Sequence, residues 1–194
     1  VVIAARDVGR TGFDLRIEPM RRRNLRAVQA IDRQVYRSPW STALYVDELR
    51  RREQRVYRIA RLGGRIVGYG GSMLVHDEGH ITSIAVDPAV HGCRIGAHLL
   101  LDVTRGTIDA GMESMTLEVR LSNAAAQRLY QWFGYLPAGI RKGYYADNQE
   151  DALVMWCHDI QGDDYRRRLL DVAIELNAGS TASGETSPEG PESP

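Results

Sequence analysis

A mixed α/β domain is the fold this sequence predicts, and three observations carry the prediction. Leu25, Val28, Ile31 and Val35 recur at helical spacing. Two apolar runs flank Gly63-Gly64 and read as a hairpin. Residues 81–134 then read in order as strand, glycine-bearing turn, helix, strand, helix.

Taken in order, residues 1–14 form a loose leader and 15–18 a first short strand. The helix through Leu25 and Val35 ends before Ser38-Pro39, because a residue ahead of proline is driven out of the helical region. Ser41 caps a second helix carrying Leu44 and Leu49. Strands at 56–61 and 66–74 make the hairpin, 76–79 is a turn, and the strand 81–86 is stopped by Asp87-Pro88. A helix over 97–110 ends at Gly111, whose missing Cβ suits a C-terminal cap. A strand over 115–120 follows, and Ser122 or Asn123 opens a helix that stops at Gly134. Strands at 138–144 and 152–158 close the domain, set at 15–160. Tyr165, Leu169, Val172 and Leu176 predict one amphipathic helix over 161–176. Residues 177–194 are almost free of apolar side chains and read as a disordered tail.

The chain has 194 residues, 43% hydrophobic and 26% charged, the balance of an ordinary globular domain. Its formal net charge of +0 argues against a general nucleic-acid binder, so no direct nucleic-acid partner is expected. No run approaches a membrane span, and the opening VVIAA is too short for a signal peptide and lacks its basic lead-in, so no membrane partner is expected. Two cysteines with no disulfide framework make a reducing cytoplasm the expected location. Cys93 and Cys157 have neither metal-ligand spacing nor the density of a disulfide framework. No metal is expected. The arginine runs at 21–23 and 50–52 read as solvated helix faces, with a local RNA or acidic-partner patch as the alternative.

The chemistry-bearing residues cluster in the middle of the chain. His91-Gly92-Cys93-Arg94-Ile95-Gly96 joins a strand to a helix. Free N–H groups there, together with the helix dipole, suit a phosphate or pyrophosphate, although two glycines in such a turn are also plain loop geometry. Cys93 is read as a small filler. Glu118 lies on a strand set between two helices, where a carboxylate needs a reason. It is either at an edge position or paired with Arg120 or another arginine, or it is a partly desolvated general base. Tyr130 shares a helix face with Ala126, Leu129 and Phe133 and is either a core aromatic or a proton donor. Asn123 is first a helix cap and second a cofactor contact. Trp40, and the Arg141, Tyr144 and Tyr145 of RKGYY, either anchor the core or line a peptide groove.

The strings SPWS (38–41), SIAVDP (83–88), LEVRLSNAAAQRLY (117–130), FGY (133–135), RKGYY (141–145) and EDALVM (150–155) resemble, in this order, the GNAT superfamily of N-acetyltransferases. Within it they resemble the RimI-type ribosomal-protein-alanine N-acetyltransferases, over residues 15–159. That resemblance implies a mixed sheet flanked by helices, with central strands that splay after a β-bulge and admit acetyl-CoA. It implies that Ile84, Ala85 and Val86 offer backbone groups to the pantetheine arm, and that His91, Gly92, Cys93, Arg94, Ile95, Gly96 and Ala97 hold the pyrophosphate, with Asn123 near the cofactor. Glu118 would be the base and Tyr130 the acid in a direct transfer that needs no metal. Trp40, Ser83, Arg141, Tyr144 and Tyr145 would line the site of a protein N-terminus, that of the eighteenth protein of the small ribosomal subunit, in an enzyme that is a monomer or weak dimer. Lysine or small-amine acetylation and a non-catalytic acyl-CoA-binding module are the alternatives. The turn departs from the superfamily pattern, Gln/Arg-x-x-Gly-x-Gly/Ala: His91 stands first and Arg94 replaces the first glycine. A positive φ at Arg94 would cost on the order of 1 kcal/mol, which its side chain would offset by reaching the phosphates.

Overall fold

The computed structural model describes residues 14–181. The strands are β1 (Leu15–Pro19), β2 (Arg55–Leu62), β3 (Arg65–Val75), β4 (Glu78–Val86), β5 (Ser114–Arg120), β6 (Leu136–Tyr145) and β7 (Glu150–Cys157). The helices are α1 (Leu25–Val35), α2 (Thr42–Glu48), α3 (Ile95–Asp109), α4 (Ala124–Trp132) and α5 (Asp163–Thr181). The strands form one sheet in the order β1-β2-β3-β4-β5-β7-β6. Every neighbouring pair is antiparallel except β4 with β5.

The local signals act where they stand. Gly63 and Gly64 take φ of 53° and 84°, the doubly left-handed turn that matches hairpin twist. Ser41 caps α2 by accepting the Leu44 N–H at 3.2 Å, and Asn123 caps α4 by accepting that of Ala126 at 3.1 Å. Gly111 and Gly134 follow α3 and α4 at φ of 84° and 93°.

Alternation along β2 and β3 separates two cores. Tyr57, Ile59 and Tyr69 pack beneath Leu25, Val28 and Ile31 of α1 and Tyr45 of α2. Ala60, Leu62 and Val67 face the other way, against Ile95 and Leu99 of α3. Beyond them the largest core joins Leu100 and Val103 of α3, Met115 and Leu117 of β5, and Phe133 and Tyr135.

Several boundaries differ from expectation. β4 starts at Glu78, so the turn shrinks to His76-Asp77, with His76 at φ 55°, and His80 becomes a strand residue. The run 21–23 enters a 3-10 turn, Arg22–Asn24, instead of a helix face. α5 continues to Thr181, past Leu176, where the tail was expected to begin. Its Tyr165, Leu169, Val172 and Leu176 join the same core as β5. At about 1.5–3 kcal/mol for each fully buried side chain, that docking accounts for an ordered helix beyond the family-like strings. The leader up to residue 13 and the tail from 182 lie outside the described residues.

Candidate active site

The site begins where the sheet fails. β4 and β5 pair only through Glu78↔Ser114, Gly79↔Met115 and His80↔Thr116. β3 and β4 shift register at the same level: Gly71 faces Ser83 and Ser72 faces Ile81, which leaves Thr82 as the extra residue of a bulge. Beyond that point β4 runs to Val86 and β5 to Arg120 with no ladder between them. The gap expected from the resemblance is therefore present, and the Ile84–Ala85–Val86 edge of β4 that faces it has no strand partner. Ser83 lies at the bulge, half-buried, with its backbone paired to Gly71.

Glu118 stands on β5 just inside this gap, and its side chain is only 5% exposed. Its Oε2 is 3.0 Å from His80 Nε2, and its Oε1 accepts Arg141 Nη1 at 2.9 Å. The arginine-pairing and site readings of Glu118 thus coincide: the arginine is one of the residues of RKGYY. Arg141 is itself 58% exposed, so one grip on the carboxylate reaches in from solvent. Tyr145 donates its hydroxyl to the Glu118 carbonyl at 3.4 Å, and the Arg120 guanidinium lies 3.8 Å from its ring centroid. Tyr144 packs edge-on against Tyr145 at 5.2 Å and stays exposed. Arg141, Tyr144 and Tyr145 are therefore brought together around Glu118. Trp40 is not among that group. Its ring lies 5.3 Å from the Tyr45 ring and its backbone N–H is donated to Asp32 Oδ2 at 2.9 Å, both on the α1–α2 side.

Tyr130, on α4, is buried, with its ring 5.8 Å from that of Tyr135. Burial, then the neighbouring Tyr36 and Tyr145 phenols, push its hydroxyl well above the ordinary phenol range. Tyr130 therefore stays protonated at neutral pH, as a proton donor must.

The turn after β4 departs from what its residues suggested. Arg94 does occupy a left-handed conformation, φ 57°, as the N-cap of α3. Its side chain reaches the Glu175 carbonyl of α5 at 3.2 Å, so its guanidinium is turned to the helix and not toward an anion. His91 likewise folds back, and its Nε2 donates to the Val86 carbonyl at 2.9 Å. What remains for an anion is backbone. No acceptor among the described residues takes the N–H groups of Ile95 or Gly96. A Cβ built on Gly96 would come only within ordinary contact of Leu129, Val86 and Ile84, at 3.7, 3.8 and 3.9 Å. The protein's own packing thus leaves room there, and the glycine opens the helix start toward the β4 edge. These residues fit an anionic cofactor arm entering between β4 and α4. Asn123 spends its side-chain oxygen on the helix cap, the first of its two readings. Cys93 is half-buried, and burial pushes its thiol up, in keeping with a filler.

Three groups near the site escaped sequence reasoning. His80 was hidden because it falls between the turn expected at 76–79 and the strand expected from 81. Asp32 is 1% exposed and accepts both the Tyr69 hydroxyl and the Trp40 N–H. Its signal was available: a carboxylate one turn after Val28 breaks the apolar stripe of α1. Asp147 links the end of β5 to the α1–α2 loop, bound by Arg120 at 2.9 Å and approached by Arg37 at 3.8 Å. Among the described residues no cluster of three or more His, Cys, Asp or Glu could hold a metal ion, and no helix is long and apolar enough to cross a membrane.

Comparison with known proteins places this arrangement in context. Residues 25–135 match the model of the acetyltransferase (GNAT) family. The putative ribosomal protein bS18-alanine N-acetyltransferase of Bacillus subtilis (strain 168) is 36% identical over 72% of this chain and 93% of its own length. The ribosomal protein bS18-alanine N-acetyltransferase of Escherichia coli (strain K12) is 31% identical over 68% of this chain and 89% of its own. The crystal structure of the Escherichia coli ribosomal-protein-S18-alanine N-acetyltransferase superposes with a TM-score of 0.68 at 29% identity, covering 75% of this chain and 94% of that one.

Proposed function

From the premise that this chain belongs to the GNAT acetyltransferase family, we propose that it acetylates the N-terminal α-amine of a protein that begins with alanine, a ribosomal protein in the first instance. It is an acetyl-CoA-dependent N-acetyltransferase. The observation that carries the finer reading is the Glu118 carboxylate at the mouth of the β4–β5 gap, gripped on one side by His80 and on the other by the exposed Arg141.

When bound, acetyl-CoA supplies an activated acyl carbon on a thioester. Everything else falls to this chain. The gap edge of Ile84 to Val86 offers backbone groups to the pantetheine arm, and the N–H groups at Ile95 and Gly96 meet the pyrophosphate. Arg141 swings off Glu118 Oε1, and the incoming ammonium takes its place, cation for cation. Glu118 accepts the amine proton through a water, with His80 steadying the other oxygen. The nitrogen lone pair then forms the new N–C bond, and a β4 N–H near Val86 is the candidate donor to the developing oxyanion. As the C–S bond breaks, Tyr130 would deliver its proton to the leaving thiolate, and the second proton lost by the nitrogen would restore the phenol through water. Tyr144 and Tyr145, grouped around Glu118, flank the first residues of the acceptor. An α-amine has a pKa of about 7.7–8.0 against about 10.4 for lysine, so freeing it at neutral pH costs roughly 3 kcal/mol less. A carboxylate base suits that acceptor better than lysine.

The test is to incubate the protein with acetyl-CoA and peptides starting Ala-Arg, with and without a blocked α-amine, and to locate the acetyl group by mass. Modification of the free α-amine is the expected result. Acetylation confined to internal lysines overturns the acceptor, and coenzyme binding without turnover overturns the catalytic reading.

A further inference from the structure

The two arginine runs at 21–23 and 50–52, read separately as solvated faces, converge on one cavity of about 750 Å³. Seven arginines line it: the three of the first run, Arg50 and Arg52 of the second, and Arg55 and Arg58 from β2. Arg51 alone turns away, to Asp47 at 3.0 Å. Three of the lining residues are already tied down. Tyr57 is 4% exposed and donates its hydroxyl to Glu48 at 3.0 Å, and Arg55 grips the same carboxylate at 2.5 and 3.1 Å. Arg58 is tied to Asp102 at 2.5 Å. Glu48 is the one carboxylate in the lining and is already committed. The other five guanidinia, at 21, 22, 23, 50 and 52, have no carboxylate within 4.0 Å among the described residues.

We propose that this cavity is a second binding site, one that takes the phosphates of a single-stranded RNA backbone. The chain as a whole is formally neutral, so the concentration is local, and the expectation of no nucleic-acid partner drawn from net charge does not reach it. Like charges gathered in a concave wall focus a positive potential that a polyanion relieves. Guanidinium forks match phosphate oxygens in pairs. Free phosphate would meet one or two of the five. A phosphodiester strand carries a charge at every residue and so offers a partner to each of them, whereas a peptide matches it only with a carboxylate on every side chain. The lining shares no residue with the groups around Glu118, so this inference stands apart from acetyl transfer.

The experiment measures anisotropy of a labelled RNA of about 16 nucleotides on the full chain. Saturating CoA keeps the phosphate turn of α3 from competing. Five single-strand phosphate contacts predict a log–log salt slope of about −3.5. The double variant Arg22→Ala/Arg52→Ala is expected to bind at least tenfold more weakly and to lose about 1.4 from that slope. Its thermal midpoint and its rate on an Ala-Arg peptide should stay as in the parent, so a failure here is distinct from a failure of the acetyl-transfer reading. Equal RNA binding by variant and parent overturns the site. So does equal competition by polyglutamate, which gives the cavity to an acidic protein, or displacement by micromolar ADP, which gives it to a free nucleotide.

Discussion

Two nearly buried carboxylates, each held by an arginine, sit in different parts of this molecule. Glu118 is 5% exposed in side chain and is bound by Arg141 and His80. Glu48 is 11% exposed and is bound by Arg55 and the Tyr57 hydroxyl. The partners make the difference. Arg55 is itself 8% exposed and sealed in place, while Arg141 is 58% exposed and free to leave. Removing one member of a sealed pair strands the other charge. Removing a solvent-side partner strands nothing, because water takes over. A carboxylate therefore works or merely holds according to whether its counter-charge can be exchanged.

That contrast can be broken at four points. Glu118→Gln should cut kcat/KM by about 10²–10³, most steeply at low pH where little free amine exists, with the thermal midpoint nearly unmoved. An unaltered pH–rate profile would remove Glu118 as base. Glu48→Ala should do the opposite: about 3 kcal/mol of stability lost, read by denaturant unfolding, with the specific activity of the folded fraction within twofold of the parent. Arg141→Ala should raise peptide KM several-fold and leave both stability and acetyl-CoA affinity in place; a collapse of stability would show that this arginine is structural after all. The smallest effect belongs to a third carboxylate. Glu150 is held down to about 2 from 4.5, chiefly by hydrogen bonds from Ser122 and then by Arg120 and Asn148. A depressed carboxylate stabilises the fold above its unfolded value and loses that contribution as pH falls toward the folded one. Glu150→Gln should therefore lower the thermal midpoint slightly at pH 7 and flatten its fall between pH 4.5 and about 2, so that variant and parent converge at the acid end.

Glu118, Tyr130 and RKGYY were legible because each sits where period and residue type disagree: a carboxylate on an inner strand, aromatics and cations at a strand end. His80 was not, since nothing in the sequence says that β4 starts three residues before its apolar run, or that its one stretch of parallel pairing ends beside Glu118. The turn shows the other kind of limit. Its strained backbone at Arg94 follows from the family pattern, but the destination of the arginine side chain lies on α5, more than eighty residues downstream and outside the matching strings. The arginine runs were visible as runs, and their meeting around Glu48 was not.

Periodicity, caps and turn glycines, all readable along the chain, determined the order of strands and helices, because backbone dihedrals and hydrogen-bond ends are satisfied within a few residues. Which charged groups ended up facing one another was decided only by the packed sheet and its bulge. Electrostatic partnership depends on distance through space and on exposure of the partner, and neither is a property of neighbours in sequence.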